Sequence, residues 1–119
     1  MNKLRNLVVV LLVAFAAFLG QAQDKKNKNA KYTFDVNGNC DQCKKRIEKA
    51  AYKVAGVKTA NWNVDTHQIS LILNEEKASL LQVKQAIAKV GHDTDEVNAS
   101  DFDYDHLHFC CQYERVKKE

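Results

Sequence analysis

Tyr32-Thr33-Phe34-Asp35-Val36-Asn37-Gly38-Asn39-Cys40-Asp41-Gln42-Cys43-Lys44-Lys45-Arg46-Ile47 changes its hydrophobic period midway, and that change decides the fold. Tyr32, Phe34 and Val36 alternate with Thr33 and Asp35, the two-residue period of a half-buried strand. Asn37-Gly38-Asn39 is turn chemistry. From Gln42 to about Ala55 the period lengthens: Cys43, Ile47, Ala50, Ala51 and Val54 recur at helical spacing, with Lys44, Lys45, Glu48 and Lys49 on the other face. Gly56 suits the helix end. Two cysteines, Cys40 and Cys43, therefore stand where a strand hands over to a helix.

Working outward, Ala60, Trp62 and Val64 alternate as a second strand, Asp65-Thr66-His67 makes a turn, and Ile69, Leu71 and Leu73 form a third. Ser79 followed by Gln82 matches a capping box. Leu80, Val83, Ile87 and Val90 then give a second helix one apolar stripe, which Gly91 ends. A short fourth strand is expected around Asp95 to Asn98. The order strand–helix–strand–strand–helix–strand predicts an α+β fold, a ferredoxin-like βαββαβ sandwich with two helices on a four-stranded antiparallel sheet. A C-terminal extension carrying Cys and His follows.

The N-terminus has the layout of a secretory signal: Lys3 and Arg5, an uncharged apolar run from Leu7 to Leu19, then Gly20-Gln21-Ala22 as a cleavage site. Thirteen apolar helical residues span only about 20 Å, too short for a membrane anchor. The predicted organisation is residues 1–22 as signal peptide, 23–30 as a flexible lysine-rich leader, 31–98 as the domain and 99–119 as the extension. The expected product is exported, periplasmic or secreted, without stable membrane insertion. Once the signal is removed, 16 basic side chains face 15 acidic ones, which gives no electrostatic case for nucleic acid.

All four cysteines, Cys40, Cys43, Cys110 and Cys111, lie in the mature part. In the Cys40-Asp41-Gln42-Cys43 corner, a turn and the first helical residues bring both sulfurs together. The unpaired N–H groups and positive dipole end of the helix favour thiolate over thiol. Two thiolates in near-linear geometry suit Cu(I) or Hg(II), whereas Zn(II) takes about four ligands.

With CxxC at its first strand–helix junction, this element order resembles the heavy-metal-associated domain family over roughly residues 31–98. That family includes copper chaperones, modules of metal-pumping ATPases and the periplasmic mercury-binding protein. The resemblance implies Cys40 and Cys43 as metal ligands, with copper(I) first and Hg, Zn or Cd as other cargo. It implies a partner that is a metal-transporting membrane pump, an efflux component or an apo-cuproprotein, and a monomer able to form a metal-bridged dimer. Two departures stand out. Asn37-Gly38-Asn39 replaces the usual Gly-Met-Thr, so Gly38 stands where a methionine normally packs beneath the loop. Gly91-His92 replaces the usual Gly-Tyr, so His92 is a third ligand, a hydrogen-bond partner of a sulfur, or a solvated loop histidine.

The extension contains His106, His108, Cys110 and Cys111, all able to bind metal. Adjacent cysteines seldom bridge each other or chelate one ion, because their side chains tend to diverge. One of them joins Cys40 and Cys43 if the tail folds back; alternatively, Cys110 or Cys111 pairs with His106 or His108 in a separate site. Otherwise Leu107, Phe109 and one cysteine simply pack on the sheet. Trp62 is expected to pack and His67 to be solvated. The Asp101, Asp103 and Asp105 run lacks the glycine and terminal glutamate of a calcium loop.

The expected function is binding and transfer of a soft metal without catalysis. The rival is a periplasmic thiol–disulfide oxidoreductase using the same CxxC. That fold usually sets a proline opposite its cysteines, and this chain has none. A third alternative makes both cysteine pairs merely structural.

Overall fold

The computed structural model describes residues 25–115, together with Lys3 and Asn6. The expected signal segment, apart from those two residues, lies outside the described part. Among the described residues no helix is long and apolar enough to cross a membrane.

Strand β1 (Ala30–Asp35), helix α1 (Asp41–Tyr52), strands β2 (Val57–Trp62) and β3 (Gln68–Leu73) and helix α2 (Leu80–Lys89) follow in the expected order. β3 lies between β1 and β2 and is antiparallel to both, with Phe34 opposite Ile69 and Trp62 opposite Ile69 on its other side. The alternation read from sequence sorts the faces. Phe34, Ala60, Trp62, Ile69, Leu71 and Leu73 are buried with Cys43, Ile47, Ala50 and Ala51 of α1 and Val83 and Ile87 of α2. Thr33, Asn61 and Ser70 stay on the exposed face.

The outer edge of β2 is covered by side chains of α1, which leaves fewer bare backbone groups on an edge strand. Glu48 accepts from the Trp62 backbone N–H at 2.9 Å, and the Tyr52 hydroxyl accepts from that of Ala60 at 3.1 Å. Lys44 ties the same corner, donating to Glu48 at 2.6 Å and to the Trp62 carbonyl at 2.9 Å. At the start of α2 the capping box is fully formed. Both helices are followed by glycines in the left-handed region, Gly56 at φ +106° and Gly91 at φ +104°.

Three details differ from expectation. β1 begins at Ala30, and the leader is tied down just before it: Asn27 and Glu75 exchange hydrogen bonds at 3.1 and 2.9 Å. β2 ends at Trp62, because the Asn63 side chain accepts from the N–H groups of Asp65 and Thr66 and turns the chain. Val64 is thereby exposed. Among the described residues the four-stranded sheet is realised as three strands plus one bridge, Val36 to Thr94. Residues 93–95 run along the end of β1, with Asn37 N–H to the Asp93 carbonyl at 2.9 Å and Asp95 N–H to that of Asp35 at 3.1 Å. The Thr94 hydroxyl then bonds both N–H and carbonyl of Val97 at 2.9 Å, curling the chain away before a fourth strand can extend.

Candidate metal centre

The turn between β1 and α1 rests on Trp62. Its indole is 1% exposed and donates to the Val36 carbonyl at 2.9 Å. A Cβ on Gly38 would meet this ring at 3.0 Å and the Cβ of Cys43 at 3.1 Å. The ring therefore fills the space beneath the loop, and Gly38 is what lets the loop lie over it. The His67 ring, exposed and at φ +60°, stacks on Trp62 with centroids 5.8 Å apart.

Cys40 occupies the N-cap position of α1 in an extended conformation. Cys43 lies in the first turn and is fully buried. Their sulfurs are 3.3 Å apart, as the spacing predicts. Burial pushes the Cys40 thiol up. The N–H groups of Cys43 and Gln42 and the thiols of Cys43 and Cys111 outweigh that, leaving Cys40 below its ordinary value. Burial raises the Cys43 thiol too, and there it prevails, up to about 12; that thiol donates to the Asn39 side chain at 3.2 Å. One sulfur is biased to thiolate and accessible; its neighbour is held protonated beneath.

The extension completes the corner. Helix α3 (Asp101–Asp105), capped by Ser100, leads into Leu107, which is buried against Gly91. A 3-10 turn (Phe109–Cys111) follows. Cys111 is fully buried with its sulfur 3.4 Å from that of Cys40. The sulfurs of Cys40, Cys110 and Cys111 all lie within 4.8 Å of one another. The adjacent cysteines thus converge, contrary to the sequence expectation, because the tight turn sets their sulfurs 4.0 Å apart on one side. Cys110 donates to the Gln42 side chain at 3.2 Å. Desolvation, with the Cys111 thiol adding to it, holds Cys110 above its ordinary value. All four cysteines are free thiols.

The histidines divide. His108 places Nδ1 3.2 Å from the Cys110 sulfur. His106 is turned away, with Nδ1 2.6 Å from the Phe102 carbonyl and its ring against Phe102. His92 is not solvated: it is fully buried, stacked on Tyr113 at 5.5 Å. Its Nδ1 lies 2.8 Å from the Asn37 carbonyl, which accepts only, so the proton resides on Nδ1. Burial lowers its pKa to about 4, and it stands outside the converging sulfur group. Sequence reading missed the residues that anchor the tail. The Tyr113 hydroxyl donates to the Gly91 carbonyl and accepts from the Asp93 N–H, both at 2.8 Å. Arg115 grips Asp93 with two bonds of 3.0 Å and the Ala99 carbonyl at 2.7 Å. Only the aromatic and charged density of the tail hinted at such anchoring.

The model of the heavy-metal-associated domain matches residues 33–93. The chain is 34% identical to the copper chaperone CopZ of Staphylococcus haemolyticus, over 46% of this chain and 81% of that protein. Its fold is similar to the Cu(I)-loaded N-terminal domain of a potential copper-translocating P-type ATPase from Bacillus subtilis. That match has 33% identity and a TM-score of 0.53, over 56% of this chain and 84% of that one. Oxidised MerP from Ralstonia metallidurans CH34 is similar at 26% identity and a TM-score of 0.54, over 56% of this chain and 94% of that one. With the matched residues running from β1 through α2 to Asp93 and enclosing the Cys40–Cys43 corner, the chain belongs to the heavy-metal-associated domain family.

Proposed function

We propose that this chain binds a soft metal ion, Cu(I) first, through Cys40 and Cys43, and passes it to a partner by thiolate exchange. The observation that carries the proposal is the pair of sulfurs 3.3 Å apart at the helix start, one of them held toward thiolate. An all-sulfur donor set fits soft cargo, and Hg(II), Cd(II) and Zn(II) are its competitors. The copper-handling names of the similar proteins support the choice of Cu(I). The exchange needs no redox step: a partner's thiolate bonds the ion as the bond to Cys40, the more accessible ligand, breaks. The fitting partner is a metal-transporting pump, an efflux component or a cuproprotein awaiting its ion. The charged, then apolar, N-terminal sequence supports export to the periplasm or beyond, where the protein works as a monomer without catalysis.

Competition of reduced protein against a Cu(I) chelator tests this. One equivalent should bind the native chain, and a Cys40→Ser, Cys43→Ser variant should lose it. Unchanged binding by the variant contradicts the proposal. So does thiol–disulfide turnover of insulin without metal affinity, which assigns the same CxxC to an oxidoreductase.

A further inference from the structure

The geometry points to a metal site larger than the CxxC pair: we infer that the C-terminal extension carries Cys111 and Cys110 to the same ion as a third and fourth sulfur. The inference rests on Cys40 and Cys43 being ligands and adds what the tail does there.

Three observations carry it. The first is spacing. Bonds of about 2.3 Å to a tetrahedral ion put neighbouring sulfurs roughly 3.8 Å apart, while a linear pair of the same bonds spans about 4.6 Å. The observed separations are 3.3 Å for Cys40–Cys43, 3.4 Å for Cys40–Cys111 and 4.0 Å for Cys110–Cys111, each nearer the tetrahedral edge than the linear span. Cys40, Cys110 and Cys111 converge as a group, and Cys43 joins them through Cys40. The second is anchoring. Leu107, Tyr113 and the Arg115 fork on Asp93 hold the tail on both sides of the 3-10 turn, so the place of Cys111 is built into the structure. The third is orientation. A tail that served only to pack would bury its largest apolar side chain, yet Phe109 is 80% exposed while Cys111 is fully buried and the Cys110 sulfur lies with that of Cys40. His108 and Gln42, each 3.2 Å from the Cys110 sulfur, steady the outermost donor.

The consequence is retention. Each added sulfur gives up its proton as it bonds the ion. A partner must then displace the tail as well as Cys40 before the ion leaves. A site of three to four thiolates also admits Zn(II), which a two-thiolate site serves poorly.

X-ray absorption on the reduced, full chain loaded with one equivalent of Cu(I), and separately of Zn(II), tests this directly. Three or four sulfurs per ion are expected in the native chain, falling to two for Cu(I) in a Cys110→Ser, Cys111→Ser variant. Zn(II) affinity of that variant should fall by more than about 100-fold, the upper loss for removing one outer-shell partner, because two of the four direct ligands are gone. Two sulfurs around Cu(I) and none added around Zn(II) in the native chain overturn the inference and leave the CxxC reading standing. Failure of the native chain to bind either ion overturns both. Because the native measurement decides by itself, misfolding of the variant does not rescue the idea.

Discussion

His92 links pH to the fold. Its imidazole is buried and neutral, with a pKa near 4 against an ordinary 6.5. Between those values the unfolded chain takes up a proton that the folded chain refuses, so stability is full above about pH 6.5 and falls as the pH drops toward 4. The loss from pH 7 to pH 5 should be about 2 kcal/mol in urea titrations, and a His92→Gln variant should show a flatter profile. Gly38 has a steric role. Gly38→Ala drives a methyl group against Trp62 and should cost about 1–3 kcal/mol. Equal denaturation midpoints for the two proteins would show that the indole can move aside. Cys40 and Cys43 were legible because their convergence depends only on local chain geometry. His92 was not, because its burial is decided by Tyr113, 21 positions away.

At the scale of elements, the two helices and three strands were readable because each has a sustained period of 3.6 or 2 and a clear stop. The fourth strand was not, because short-range bonds decide it. Thr94 bonding to Val97 ends the ladder after a single bridge, and a hydroxyl choosing its own backbone leaves no periodic trace. The β2 edge follows a similar logic. Glu48, placed by its spacing on the face away from the apolar stripe, accepts the Trp62 N–H and the Lys44 ammonium at once. Glu48→Ala should therefore lower stability by about 1–2 kcal/mol, well above a surface substitution. The loss should appear first as faster hydrogen exchange at the Trp62 amide. Exchange unchanged there would mean that the strand edge is protected by something else.

Across the whole molecule, the matched domain ends at Asp93, and the tail beyond it returns to the Cys40–Cys43 corner by contacts of long sequence separation. Cys111 meets Cys40 across 71 positions, which no period or motif encodes. Arg115→Ala removes the fork on Asp93 and should raise amide exchange at Leu107 and Cys111 while leaving α1 and β3 protected. Uniform loosening would show instead that tail and domain unfold as one unit. Beneath both proposals lies the claim that the sulfurs of Cys40 and Cys43 hold the ion. Following the cysteine 13Cβ resonances of the reduced protein during addition of one equivalent of Cu(I) tests it most directly. The Cys40 and Cys43 signals are expected to move to a single bound form, with Cys110 and Cys111 moving alongside. Cys40 and Cys43 signals that stay in place while copper binds elsewhere would contradict it.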